Sequence, residues 1–249
     1  MSGLSALEDT FEKYADCTAC GLCDKRLQVV FGSGSASADI LVVGEGPSEE
    51  DESQGIPFLG KSGRLLLDML AMVWPDTEEM LRFRSYDTED NEGYFLDLRE
   101  YLDRYIFWTN VVGCRTPEGR TPSNVEIEAC SDRLQRIIYA VDPLLIIALG
   151  KTAASAVVGK TVQITDKRGS IFDVTVASPV TGTDVRYPMM ALLAPGFLLK
   201  KGDQSLVAEK KGDTYKTLQD LKQALTLLDA EYKDAFGQSF PHRPEGYQK

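Results

Sequence analysis

Two groups of residues in this chain have types and spacings that can do chemistry. The first is a set of thiols. Cysteines stand at 17, 20, 23, 114 and 130, the first three as a C-x2-C-x2-C run. Core cysteines do not scatter in that way. Thiolates so spaced bind metal, and both tetrahedral zinc and an iron–sulfur cluster take four of them. An odd count in a chain whose amino terminus lacks a signal-peptide pattern argues against a disulfide framework. The second group lies in residues 44–63, GEGPSEEDESQGIPFLGKSG, a long loop expected to leave the carboxyl end of a strand, where ligands bind in open α/β sheets. Within it, residues 55–62, GIPFLGKS, formally match the phosphate-cradling G-x-x-x-x-G-K-[ST]. Three features oppose that reading. Pro57 lacks a backbone donor, Phe58 and Leu59 are bulky, and an acidic run rather than a strand precedes Gly55.

The elements that must position these groups follow from periodicity. Apolar runs at 40–43, 105–112, 144–149 and 187–193 predict four buried strands. Between them, residues 5–15 and 65–72 read as helices. Ser123 and Glu126 form an S-x-x-E capping box, and the helix after it places Ile127, Cys130, Leu134, Ile137 and Val141 on one face. Gly150 opens another helix whose first N–H groups could hold a phosphate. Residues 162–176 are expected to form a hairpin turning near Arg168 and Gly169. Leu218, Leu221, Leu225, Leu228 and Tyr232 make a helical stripe that covers the sheet. The expected architecture is an α/β three-layer α/β/α sandwich around a central, mostly parallel four-stranded sheet. A single domain should span residues 1–235, with a solvated acidic insertion around 75–104. There Asp87, Glu89, Asp90 and Glu92 cluster before a helical turn or two at 94–101, and a docking surface for a protein partner is the alternative use. Residues 236–249 should be a polar, mobile tail holding the only histidine, His242.

At 249 residues the chain can bury a full core. No stretch approaches the roughly 20 apolar residues of a membrane span, so no membrane partner is expected and the chain reads as intracellular. The formal net charge of -11 argues against broad phosphate binding. Any nucleic acid must meet a focused basic site, and Lys61, Arg120, Lys151, Arg168, Lys200 and Lys201 lie in or beside loops that should gather at one end of the sheet.

The segment GEGP, followed by QGIPFLGKSGRLL, resembles the first active-site segment of the iron–sulfur (family 4) uracil-DNA glycosylases. The likeness extends through VVFGSG, NVVGCRTPEGRTPSNVEIEAC and APGFLLK, in the family's order and over most of the chain. It implies a monomeric enzyme that hydrolyses the N-glycosidic bond of uracil flipped out of single- or double-stranded DNA. It also implies a 4Fe-4S cluster on Cys17, Cys20, Cys114 and Cys130, with Cys23 the extra thiol. On that resemblance Glu45 positions water or stabilises the cationic sugar. Phe58 stacks on the base beside Gly46, and Asn110 bonds the pyrimidine edge, an amide offering both donor and acceptor. Ser62, Thr152, Pro195, Phe197 and Leu198 join the basic residues at the DNA. Ala194 stands where the family has a histidine that donates to the base oxygen as charge develops there. The implied activity is therefore weakened or directed to a related base. The alternative is a non-catalytic DNA-binding or repair adaptor that keeps the fold.

Overall fold

Side-chain alternation along the apolar strands decides the layout, because each strand must bury both of its faces. The computed structural model describes residues 3–75, 78–85, 91–178 and 181–241. Helix α1 (Gly3–Tyr14) leads to a two-residue strand β1 (Ser33–Gly34) and then to β2 (Ile40–Gly44). The short α2 (Glu49–Gln54) and α3 (Lys61–Val73) follow, and α4 (Glu78–Ser85) and α5 (Asn91–Asp103) precede β3 (Ile106–Asn110). Next come α6 (Asn124–Val141), β4 (Leu145–Leu149), α7 (Gly150–Val158), the single turn α8 (Ile164–Lys167) and β5 (Ile171–Ala177). The chain closes with β6 (Asp184–Leu192), α9 (Pro195–Lys201) and α10 (Gly212–Phe236).

The sheet order is β1-β3-β2-β4-β6-β5. The four central strands are parallel, and β1 and β5 add antiparallel edges. The sheet thus has six strands rather than the four expected. The extra edges are a two-residue strand and a half-exposed one, which carry little apolar signal. Ile40, Val42, Ile106, Trp108, Ile147 and Met190 face a layer made by α3, α4, α5 and α10. Leu41, Val43, Phe107, Ile146, Ala148 and Met189 face α1, α6 and α7. The expected three-layer sandwich is present. Among the described residues no helix is long and apolar enough to cross a membrane.

Three further expectations are corrected. The hairpin does not turn at Arg168 and Gly169. Residues 164–167 are helical, and β5 pairs instead with β6, Ile171 opposite Met190. The described parts of the 75–104 segment are not a solvated insertion. Met80, Tyr94, Leu98, Tyr101 and Leu102 are all buried in the core, and their helical spacing fixes α4 and α5 against α3. Asp87, Glu89 and Asp90, and the side chain of Glu92, lie outside the described residues. The tail also has an anchor. Phe240 is 1% exposed and packs against Trp74, Tyr105 and Tyr232; His242 lies outside the described residues.

Candidate active site

The carboxyl ends of the four parallel strands form one rim, and register brings their last residues together. Gly44 pairs with Asn110 across β2 and β3, and Leu149 with Leu192 across β4 and β6. Gly44 has to be glycine. A Cβ there would stand 2.3 Å from Asn110 Oδ1 and 2.8 Å from Phe58 Cζ. The missing side chain therefore lets an amide and an aromatic ring close in together over the Gly44 backbone. Asn110 is 2% exposed and its Nδ2 has no hydrogen-bond partner among the described residues. Such a buried, unmade donor is costly in a native structure, and an acceptor on a ligand would satisfy it. The Asn110 backbone is fixed from below. Fully buried Arg133 donates through Nη2 to the Asn110 carbonyl and through Nη1 to the Phe31 carbonyl at 3.0 Å.

Phe58 is held by its loop. Ser48 caps α2 by accepting from the Asp51 N–H, and Asp51 Oδ2 accepts in return from the Ser48 N–H at 3.1 Å. The other oxygen of this buried carboxylate accepts from Leu59 N–H at 2.8 Å and Gly60 N–H at 3.4 Å. Those are the donors a phosphate loop would need, and β2 is separated from residues 55–62 by α2. The phosphate-loop pattern is thus a formal match only. Phe58 has φ +65°, a conformation that side-chain-bearing residues adopt only when surroundings hold them there. Gly63 makes room for it, since a Cβ at 63 would fall 1.9 Å from the Phe58 carbonyl oxygen. The Phe58 ring packs on Trp108, centroids 5.6 Å apart.

Glu45 follows β2 and is half-buried. Thr152, in the first turn of α7, donates to its Oε2 at 2.6 Å. Gly46, beside it, would bring a Cβ 3.0 Å from Val112. Ala194 is the N-cap of α9 and offers no side-chain hydrogen bond. It faces Gly150, where an added Cβ would lie 3.0 Å from that of Ala194. The described residues include no histidine.

The expected DNA contacts divide. Lys61 and Ser62 begin α3, Lys151 begins α7 and Lys200 ends α9, all exposed. The start of α9 adjoins that of α3, where a Cβ on Gly196 would lie 3.2 Å from Ser62 Oγ. Phe197 is exposed while Pro195 is buried. Leu198 is completely buried in the core, so it anchors α9 and the outward apolar residues are Phe197 and Leu199. Arg120 is engaged by both oxygens of Glu126, at 2.6 and 2.8 Å, and that guanidinium pulls the Glu126 carboxyl down to about 2. Arg168 pairs with Asp220 at 2.5 Å. A cleft of about 640 Å³ between α6 and α7 borders this rim through Val111, Lys151 and Thr152.

The thiols lie behind the rim. Cys114 and Cys130 are buried, and Cys17, Cys20 and Cys23 are half-buried. Burial pushes the Cys114 thiol up to about 11, with Cys130 and Cys20 adding to the rise against Arg26. Cys20 is raised by burial, and Cys130 and Cys17 act on it in the same direction. Cys20, Cys114 and Cys130 therefore share one neighbourhood, with Cys17 and Cys23 each acting on or acted on by Cys20; Cys23 also lies against Asp24 at 3.5 Å. Among the described residues no three Cys, His, Asp or Glu close around one point as the ligands of a single ion do. Arg133 has no carboxylate partner among the described residues. Burial lowers its pKa, and Cys130 and Cys114 are the neighbours that most support its charge. A buried cation in that state calls for an anion, and thiolates of an anionic cluster would supply it.

Sequence reasoning missed Asp51, Arg133 and Gly44. Only the S-x-x-D at 48–51 gave a local signal, as a helix cap.

A family model described as "Uracil DNA glycosylase superfamily" matches residues 31–222. The chain is 38% identical over 168 residues to a "Type-4 uracil-DNA glycosylase" of Thermotoga maritima, covering 67% of this chain and 74% of that protein. A protein of the same description from Archaeoglobus fulgidus is 30% identical over 151 residues, 61% of this chain and 63% of that one. A "DNA polymerase" of Bacillus phage SP01 is 27% identical over 143 residues, 57% of this chain and 13% of its own length.

Proposed function

This chain belongs to the uracil DNA glycosylase superfamily, and we propose that it hydrolyses the bond between uracil and deoxyribose in DNA. The observation that carries the proposal is the buried, unpartnered Asn110 Nδ2 beside the Phe58 ring over side-chain-free Gly44. A base inside a duplex cannot reach such a rim, so the nucleotide must be flipped out of the stack. Uracil would stack on Phe58. Asn110 would donate through Nδ2 to a base carbonyl and accept the ring N–H through Oδ1. Water bonds through its oxygen to C1′ as the C1′–N1 bond breaks, and the bonding pair leaves on N1 of uracil. Glu45, its carboxylate fixed by Thr152, orients that water, takes its proton and opposes the positive charge on the sugar. Lys61, Lys151 and Lys200 stand to meet phosphates.

Ala194 limits the rate. An imidazole there would hydrogen-bond the base oxygen as it gains charge, and loss of one such donor costs about 10²–10³ in rate. Cys17, Cys20, Cys114 and Cys130 would hold an iron–sulfur cluster. When bound, it supplies a structural tie between the amino-terminal loop and α6. The methyl group of Ala194 also favours a second reading, a DNA-binding relative without catalysis.

Uracil release from single- and double-stranded oligonucleotides tests the proposal. Release should be slow but measurable, and Asn110→Ala should lower both affinity and rate by at least tenfold, since it removes the buried amide proposed to read the base edge. Binding without release would favour the second reading. An unaltered rate in Asn110→Ala would contradict the base-recognition scheme.

A further inference from the structure

Arg99, on α5, is 5% exposed and takes no part in the chemistry above, yet every nitrogen of its guanidinium is committed. Nε donates to Asp103 Oδ1 at 2.7 Å, Nη1 to the Pro57 carbonyl at 2.8 Å and Nη2 to Ser33 Oγ at 2.6 Å. The guanidinium plane lies over the Trp108 ring, 4.5 Å from its centroid. Trp108 Nε1 donates to the same Asp103 oxygen at 2.6 Å, and the other side of the path is the Trp108–Phe58 contact. Arg99 therefore reaches Phe58 twice, through the carbonyl of the residue before it and through the ring packed against it. Phe58 needs that support, because its φ is positive and Asp51 secures only the residues after it.

Resting on the proposed function, we propose that Arg99 is a positioning residue for base stacking. It sets the height and tilt of Phe58 over Gly44, so that the segment between α3 and β3 supplies the brace of the base platform. A guanidinium suits the task because its rigid planar fork serves three acceptors and an aromatic face together; a lysine ammonium cannot do so.

The test is affinity for a single-stranded oligonucleotide with one 2′-fluoro-deoxyuridine, which resists cleavage, divided by affinity for the same strand with an abasic site. Fluorescence anisotropy reads the ratio, and melting temperature checks the fold. Phe58→Ala should lower the ratio about tenfold, the usual worth of one stacked base. Arg99→Lys should lose most of the same factor, and in the Phe58→Ala background it should lose nothing more. Should Arg99→Lys not fold, Asp103→Asn, which unfixes the guanidinium, should show a smaller loss that Phe58→Ala again masks. A purely structural Arg99 would weaken both strands equally and add to Phe58→Ala, and either result overturns the inference. If the unchanged chain binds both strands alike, the proposed function fails and this inference with it.

Discussion

Thr152 shows how a single hydroxyl separates two accounts of the site. Its place at the start of α7 suits a phosphate contact, but its proton is committed to Glu45 Oε2. A hydrogen bond to a charged group contributes about 1.5–3 kcal/mol, enough to hold one carboxylate rotamer. Thr152→Val should therefore reduce single-turnover uracil release by about tenfold with little change in DNA affinity. Glu45→Gln should cost more, and the two changes together should cost no more than Glu45→Gln alone. Loss of affinity at constant rate would return Thr152 to the phosphate. Glu45, Phe58 and Asn110 could be singled out in the sequence because a motif carries them, and the structure places Phe58 and Asn110 together against Gly44. Arg133 could not be singled out, since its partners are backbone groups of distant segments, Phe31 being 102 residues away; Asp51 showed only as a helix cap, because its second role, holding the Leu59 and Gly60 N–H groups, depends on how the loop folds back.

Elements were legible where one periodicity dominated. The fully buried strands β2, β3 and β4 and the capped helix α6 follow directly from apolar runs and Ser123. The segment at 75–104 misled because its acids are as numerous as its apolar residues, although Tyr94, Leu98, Tyr101 and Leu102 already repeat at helical spacing. The hairpin was misplaced because Arg168 and Gly169 look like a turn, whereas Arg168 forms a bridge to Ala191. The amino-terminal loop and α6 meet at the thiols, and this junction carries its own prediction. Chain isolated without oxygen should contain iron and sulfide. Cys130→Ser should lose them, and Cys23→Ser should retain them. Iron lost with Cys23 would shift the ligand set, and one zinc without iron would replace the cluster.

Taken whole, the molecule is an anion that must approach a polyanion. Its net charge is -11, and Arg120 and Arg168 are consumed by Glu126 and Asp220. Lys61, Lys151 and Lys200 remain exposed with no ion pair among the described residues, and they sit on α3, α7 and α9, the helices that surround the strand ends. On the proposed function, recognition of DNA would be concentrated at the rim rather than spread over a face. The internal use of the two arginines could not be foreseen from the loops, because it depends on tertiary neighbours. The same rim contains Ala194, whose methyl group leaves the proposed reaction without a side-chain donor to the departing base. Single-turnover release of uracil from a single-stranded oligonucleotide, by the unchanged chain and by Ala194→His, tests the account most directly. An imidazole at the N-cap of α9 should raise the rate by about 10²-fold while ground-state affinity changes far less, because the donor acts on charge that develops only as the bond breaks. Rapid release by the unchanged chain, with no gain from Ala194→His, would contradict it: another group would then be stabilising the departing base.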